Sequence, residues 1–331
     1  MLDLVDRHLQ ESLSVPTDRP IKVSAALEIA TRLSAHRPGG GRTFEYLQVL
    51  ATLGFVDASL ARIVEPHLDA LAILHQAAAP VDDGSTWGVY AAHAPGFALS
   101  ARQGADGWLL SGTKPWCSLA GRLSHAVVTA EAPDGGQRAF AVRLDPRHVE
   151  VLPTQWVSRG LALIPSGPIA VDQLPATPLG GSGWYVDRPG FAWGGIGVAA
   201  VWFGVALALR AQMLRHVTRR DVQPIAAAQL GGVDEEMFAA ATCLTYAAQA
   251  VDAGTGSPVL LAQRVRAVVA RTCENTLRTA GHLLGPGPLV GDEQYARRVA
   301  DLGVYLRQHH GPRDLAYLGE LCIADQEEIH D

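Results

Sequence analysis

The sequence predicts an α+β protein of several domains: helices first, then a small β-barrel or sandwich, then a helical bundle. Three observations carry this. Apolar residues recur with helical spacing up to about residue 80, the period changes toward two from Trp87, and helical spacing returns after Asp187-Arg188-Pro189-Gly190. At 331 residues, 48% of them apolar, the chain has material for two or three cores. The changes of period place domain boundaries at 1–84, 85–188 and 189–331.

Taken in order, Leu2–Leu13 and Val23–Leu33 are amphipathic, and His36–Arg42 is a Pro/Gly-rich loop. Thr43 is placed to cap a helix over Phe44–Leu53, and Asp57 or Ser59 to cap a second one running through Ile63, Leu68, Leu71 and Leu74. Seven β-rich runs follow at roughly ten-residue spacing: WGVYAA, FALSARQ, GWLLSG, HAVVTAEA, RAFAVRL, VEVLP and PIAVDQL. Asp106-Gly107 has the composition of a tight hairpin turn, and Ser111-Gly112 predicts a second bend. Beyond residue 189 the helical runs are Phe191–Arg220, Pro224–Ala253, Ser257–Leu284, Glu293–His310 and Arg313–Ile329, lengths that fit a four-helix bundle with a terminal helix.

Composition excludes several classes. A net charge of −6 with no basic block argues against a nucleic-acid partner, and the two lysines, Lys22 and Lys114, stand alone among many arginines. Cys117, Cys243, Cys273 and Cys322 are too scattered for a metal site or a disulfide framework, which suits a reducing cytoplasm. The start, MLDLVDRHLQE, has neither the basic beginning nor the apolar run of a signal peptide. Phe191–Leu209 is nineteen residues without a charge, but its glycines and the continuing pattern through Arg210 and Arg215 predict a buried bundle helix rather than a membrane span. Gly195-Ile196-Gly197-Val198-Ala199-Ala200 matches a dinucleotide fingerprint in letters only. No strand precedes it, and close helix packing is the expectation.

The chemistry concentrates in Gly107-Trp108-Leu109-Leu110-Ser111-Gly112-Thr113-Lys114-Pro115-Trp116-Cys117-Ser118. A large ring beside a hydroxyl suits a wide aromatic ligand. Ser111-x-x-Lys114 also has the letters of a serine nucleophile with its lysine, but that arrangement needs the start of a helix. The segment resembles the middle-domain signature of the acyl-CoA dehydrogenases, G-x-x-L-x-G-x-K-x-W-I-T/S. The resemblance implies a flavoprotein with FAD, whose ring packs on Trp116 and meets the hydroxyl of Ser118, behind a shortened N-terminal helical domain. His93 stands where the family has a flavin-contacting threonine.

In the C-terminal part the resemblance places the family's carboxylate base, which faces the ring, at Asp292, with Glu293 one residue out of register. Gly291-Asp292-Glu293 is equally a good helix N-cap. Further flavin contacts carry over to Arg219 or Arg220, Gln229, His282, Gly285 and Gly287 of the loop before Asp292, and His309 and His310. The alternative family position for the base, near Phe191–Gly197 on the first bundle helix, holds no acid in its own sequence. The activity implied is α,β-dehydrogenation of an acyl-CoA or acyl-carrier thioester, with an electron-accepting flavoprotein as partner and a homodimer or homotetramer as assembly. Two alternatives stand beside it: a flavin monooxygenase on the same fold, which needs no carboxylate base, and a flavin-free relative acting as a scaffold or binding subunit.

Overall fold

A computed structural model describes residues 4–330 apart from 14, 17, 106 and 219–222, with side chains as far as residue 325. The element order is helices, strands, helices, as the periods require. α1 (Arg7–Ser12), α2 (Val23–Arg32), α3 (Thr43–Val56) and α4 (Ala58–Gln76) precede the strands. These are β1 (Trp87–Tyr90), β2 (Leu99–Gly104), β3 (Gly107–Ser118), β4 (His125–Glu131), β5 (Gln137–Arg143), β6 (Val149–Val151) and β7 (Ser166–Leu179). Then come α5 (Trp184–Asp187), α6 (Pro189–Thr218), α7 (Pro224–Ala253), α8 (Pro258–Leu284), α9 (Gly287–Gly291), α10 (Glu293–Tyr305) and α11 (Pro312–His330).

The strands form one sheet in the order β1-β4-β2-β3-β7-β5, and pairing of β4 with β5 closes it on itself. Closure removes the exposed edges that strands this short and apolar otherwise present. Within the ring the inward residues Leu110, Ala126, Val128, Phe140, Val142 and Ile169 make a core of their own.

Two sequence expectations need correction. Ser111-Gly112 does not bend the chain. β3 runs straight through it, and the register against β7 slips there as a β-bulge, with Gly112 at φ +127° and its Cα against Ala98, whose carbonyl would lie 2.2 Å from an added Cβ. A glycine followed by a strand with paired residues on both sides therefore marks a bulge, not a turn. Thr43 is not the cap of α3 either. Arg42 holds that position, and the Thr43 hydroxyl and backbone N–H both donate to Asp252 of α7, 209 residues away, at 2.6 and 3.0 Å. Asp57 does cap α4, accepting from the Leu60 N–H.

α6 is the axis of the helical part. By length and composition it could cross a membrane, and 78% of its most apolar window is buried inside the protein. Ile196, Ala199, Val201, Trp202, Phe203 and Val205 share one core with α2, α3, α4, α7, α8 and α10, so the N-terminal helices and the bundle are packed as a continuous apolar mass. α3 approaches α6 through two glycines. An added Cβ on Gly54 would lie 2.4 Å from the Val201 carbonyl oxygen, and one on Gly204 would lie 2.0 Å from that of Ala51. The glycine-rich string on α6 is thus helix packing, as its lack of a preceding strand implies.

Candidate functional site: an aromatic ledge beside a buried acid cluster

The end of β3 is built to expose one ring. Between Lys114 and Cys117 the pairing with β7 slips again, at Pro115, which has no N–H to give the ladder. Trp116 sits in this second bulge at φ +60°, a left-handed conformation that costs a non-glycine residue about 1 kcal/mol or more, and its side chain is 55% exposed. An indole held outward in this way presents an open stacking face. The residues on either side point in: Lys114 is buried and donates from Nζ to the Thr129 carbonyl and hydroxyl at 2.7 and 2.9 Å, and burial lowers its pKa to about 8. Burial pushes the Cys117 thiol up to about 12. Ser111 accepts from the Gln173 N–H and side-chain amide, so it and Lys114 have separate partners and do not act as a pair.

Ser118 ends the strand with its hydroxyl 2.7 Å from that of Ser166, and its carbonyl accepts from the Tyr90 hydroxyl. His93, in the loop after β1, is exposed and lies in the field of Lys114, which together with partial burial holds its pKa below the ordinary value. Ser118, Tyr90 and Trp87 face Arg62 and Pro66 of α4 across a narrow crevice.

Arg62 joins this ledge to a second group that sequence reasoning did not single out. On one face of α4, Arg62, Glu65 and Asp69 are spaced i, i+3, i+7. Arg62 Nη1 is 3.4 Å from Glu65 Oε2, which also accepts from the Tyr305 hydroxyl at 3.2 Å. The Arg62 guanidinium lies over the Tyr305 ring. Burial pushes the Glu65 carboxyl up to about 7, against the opposing pull of Arg62. Asp69 is half-buried, and burial likewise raises its pKa, opposed by Arg188 and Arg62. No hydrogen-bond donor reaches it among the described residues.

The first turns of α6 make room for these groups. A Cβ on Gly194 would stand 2.9 Å from Asp69 Oδ1, and one on Gly197 would stand 2.7 Å from the Tyr46 hydroxyl. Arg266 of α8 crosses the end of the cluster, stacking over Trp202 and donating to the Gly195 and Gln308 carbonyls. The only hint in the sequence is the spacing of the three charges within the apolar run Leu60–Leu74, which by itself also describes a solvated face.

The C-terminal candidates lie elsewhere. Asp292 caps α10: Oδ1 accepts from the Tyr295 N–H at 3.0 Å and Oδ2 from the Gln212 side chain at 2.9 Å. Glu293 is exposed and 3.7 Å from Arg297. Gln229 is half-buried on α7, His282 is exposed in the last turn of α8, Gly285 closes that helix at φ +65°, and Gly287 opens α9. His309 and His310 both face Asp314, His310 Nδ1 at 3.2 Å. Arg219 and Arg220 lie outside the described residues. The structure brings Ser118 and Arg62 to one crevice, Trp116 is exposed two residues before Ser118 on the same strand, and Asp292 shares no partner with them. If capping is the main contribution of Asp292, Asp292→Ala will lower stability by about 1 kcal/mol and Asp292→Asn will be nearly neutral in chemical denaturation.

The fold is that of the acyl-CoA dehydrogenases. Butyryl-CoA dehydrogenase from Megasphaera elsdenii superposes with a TM-score of 0.76 at 17% identity, over 97% of this chain and 91% of that one. FMN-bound TdsC from Paenibacillus sp. A11-2 gives 0.75 at 17% identity, over 92% and 90%. Nitrososynthase from Micromonospora carbonacea var. africana gives 0.74 at 18% identity, over 94% and 90%. No family model and no curated protein matches the sequence.

Proposed function

We propose that this protein is a flavin-dependent oxidoreductase that binds FAD on the Trp116 ledge and dehydrogenates an acyl thioester. The observation that carries the reading is the bulge at Pro115-Trp116. It holds a large aromatic ring outside the barrel in a strained conformation, two residues before Ser118 on the same strand. Those residues fit a flavin: Trp116 offers a stacking face, Ser118 can turn its proton from Ser166 to a ring acceptor, and His93 is free to reach the ring's edge. Bound flavin supplies a two-electron acceptor, which none of the side chains here can provide. What this chain contributes is the seat, the exclusion of water by α4 and Leu119, and a carboxylate to take a proton. On this reading electrons pass on to an electron-accepting flavoprotein in the cytoplasm. The exposed apolar side chains of Ile225, Phe238 and Tyr246 on α7 support assembly with further copies of the chain, as a dimer or tetramer.

Monooxygenation is the second reading. It is favoured by the charged face of α4, where Arg62 lines the crevice and Glu65 and Asp69 follow it one and two turns on, charges that a purely apolar acyl site does not call for. Anaerobic reduction of the bound flavin by acyl-CoA thioesters separates the two. Bleaching without oxygen supports dehydrogenation. Bleaching only by external reductant, followed by oxygen uptake coupled to substrate, supports monooxygenation.

A further inference from the structure

We propose that the cavity at the Trp108 end of the barrel is a second binding site, separate from the flavin ledge, and that it takes a small aromatic zwitterion, an aromatic α-amino acid. Its lining is set by strand register. Trp87 of β1 pairs with His125 of β4, and His125 pairs with Arg143 of β5. The residue before Arg143, Val142, pairs with Ala176 of β7, and Ala176 pairs with Trp108 of β3. These residues run as one row across five strands of the closed sheet. The cavity they line measures about 470 Å³, within the range of small-molecule sites. Trp108 stands at the start of β3 and Trp116 near its end. Among the described residues, Trp87 alone lines both this cavity and the Ser118 crevice.

Protein contacts fix the aromatic walls. Trp87 Nε1 donates to Ser85 Oγ at 2.7 Å, its backbone N–H donates to His67 Nδ1 at 3.2 Å, and its ring stacks on that of His125 with centroids 4.7 Å apart. Trp108 leans on Phe140 and carries the Arg138 guanidinium over its ring at 5.0 Å. The rest of the lining includes small side chains, Ala79, Ala141 and Ala176, which leave room between the rings. Walls already in position make a flat ring cheaper to bind, because little side-chain freedom is lost when it arrives.

The charges on the lining select the ligand. Arg143 is exposed and makes no hydrogen bond or ion pair among the described residues. Asp145, two residues on, is held by Arg147 through both oxygens. The Asp82 side chain, 81% exposed, meets only His125 Nε2 among the described residues, at 3.4 Å. His125 does not cancel that charge, since partial burial holds its pKa below the ordinary value, with Asp82 pulling it up and Arg143 down. One cation and one anion therefore line the same aromatic cavity without pairing with each other. A carboxylate answers the guanidinium, an ammonium answers Asp82, and the ring lies along the aromatic walls. A ligand with a single charge leaves one of the two groups unanswered or opposed.

The test is isothermal titration calorimetry of the full chain near neutral pH with L-phenylalanine, 3-phenylpropionate and phenethylamine. The first carries both charges and each of the others lacks one. Wild type should bind L-phenylalanine saturably and the other two at least about tenfold more weakly, the loss of one charge-assisted contact. In Arg143→Gln the preference for L-phenylalanine over phenethylamine should vanish, and in Asp82→Asn the preference over 3-phenylpropionate should vanish. Both side chains are exposed, so the two variants should melt near the wild-type temperature. Trp116→Gly, which removes the flavin ledge, should bind L-phenylalanine as wild type does. A wild type that binds none of the three, or all three equally, overturns the proposal. So do preferences that survive both charge substitutions, and so does loss of L-phenylalanine binding in Trp116→Gly, which would put the ligand on the ledge.

Discussion

Glu65→Gln is expected to change the pH dependence of stability by about 3 kcal/mol between pH 4.5 and 7.5. The wild-type carboxyl titrates at about 7 when folded and at 4.5 as a free group, because burial disfavours its charged form more than Arg62 restores it. The folded state therefore holds the proton more tightly than the unfolded chain. Its stabilising contribution is complete below pH 4.5 and is lost as pH rises through 7. Glutamine keeps an acceptor for the Tyr305 hydroxyl and cannot ionise, so the variant should match wild type at pH 4.5 and exceed it at pH 8. Asp301, raised by burial to about 6, adds a slope of the same sign to both proteins and cancels in the difference. Denaturant midpoints measured across that range check this, and parallel curves for the two proteins would show that Glu65 is charged in the fold throughout.

The second large effect concerns the axis of the bundle. Gly204→Leu forces a side chain into a gap where even a Cβ would be 2.0 Å from the Ala51 carbonyl oxygen, and a backbone atom cannot swing aside. Overpacking at such contacts costs about 1–3 kcal/mol, and the loss should reach the top of that range. Because Gly54 lies in the same α3–α6 contact, Gly54→Ala combined with Gly204→Ala should destabilise by less than the sum of the two. Once the helices are pushed apart, the second methyl meets space already opened. Thermal unfolding of the three variants measures this directly, and strict additivity would show that the two contacts act separately.

Much of the fold is legible in the sequence because local chemistry and tertiary structure agree there. The β-rich runs are bounded by turn residues, and all seven pair. The terminal helices begin at Pro224 and Pro258 and stop at Gly254 and Gly285, where proline and glycine fit the first turn and the reversal. Where reading failed, a distant residue decides the matter. Thr43 is drawn away from capping by Asp252, and Gly112 becomes a bulge because β7 pairs on both sides of it.

The site shows the same division. Trp116 and Ser118 stand out in a local motif, and the ledge they form is local geometry. Arg62, Glu65 and Asp69 do not stand out, because three charges on one helical face read as a solvated surface until α6 and α10 are laid against them. Asp292 carried two readings from sequence, base or cap. The cap is visible in its hydrogen bonds to the Tyr295 N–H and the Gln212 side chain, neither of which belongs to the ledge.

The central claim, a flavin seated on the Trp116 ledge, is tested most directly by titrating the apoprotein with FAD, and separately FMN, in wild type and Trp116→Gly. Glycine adopts the positive φ at this position without strain, so the barrel should stay intact while the stacking face is removed. Stacking beyond simple burial is worth about 1 kcal/mol, and with the ring's buried area added the variant should bind about tenfold or more weakly. Saturable uptake of flavin by wild type with quenching of tryptophan fluorescence, weakened in Trp116→Gly, is the predicted result. Failure of wild type to take up either flavin, or equal uptake by both proteins, would contradict it.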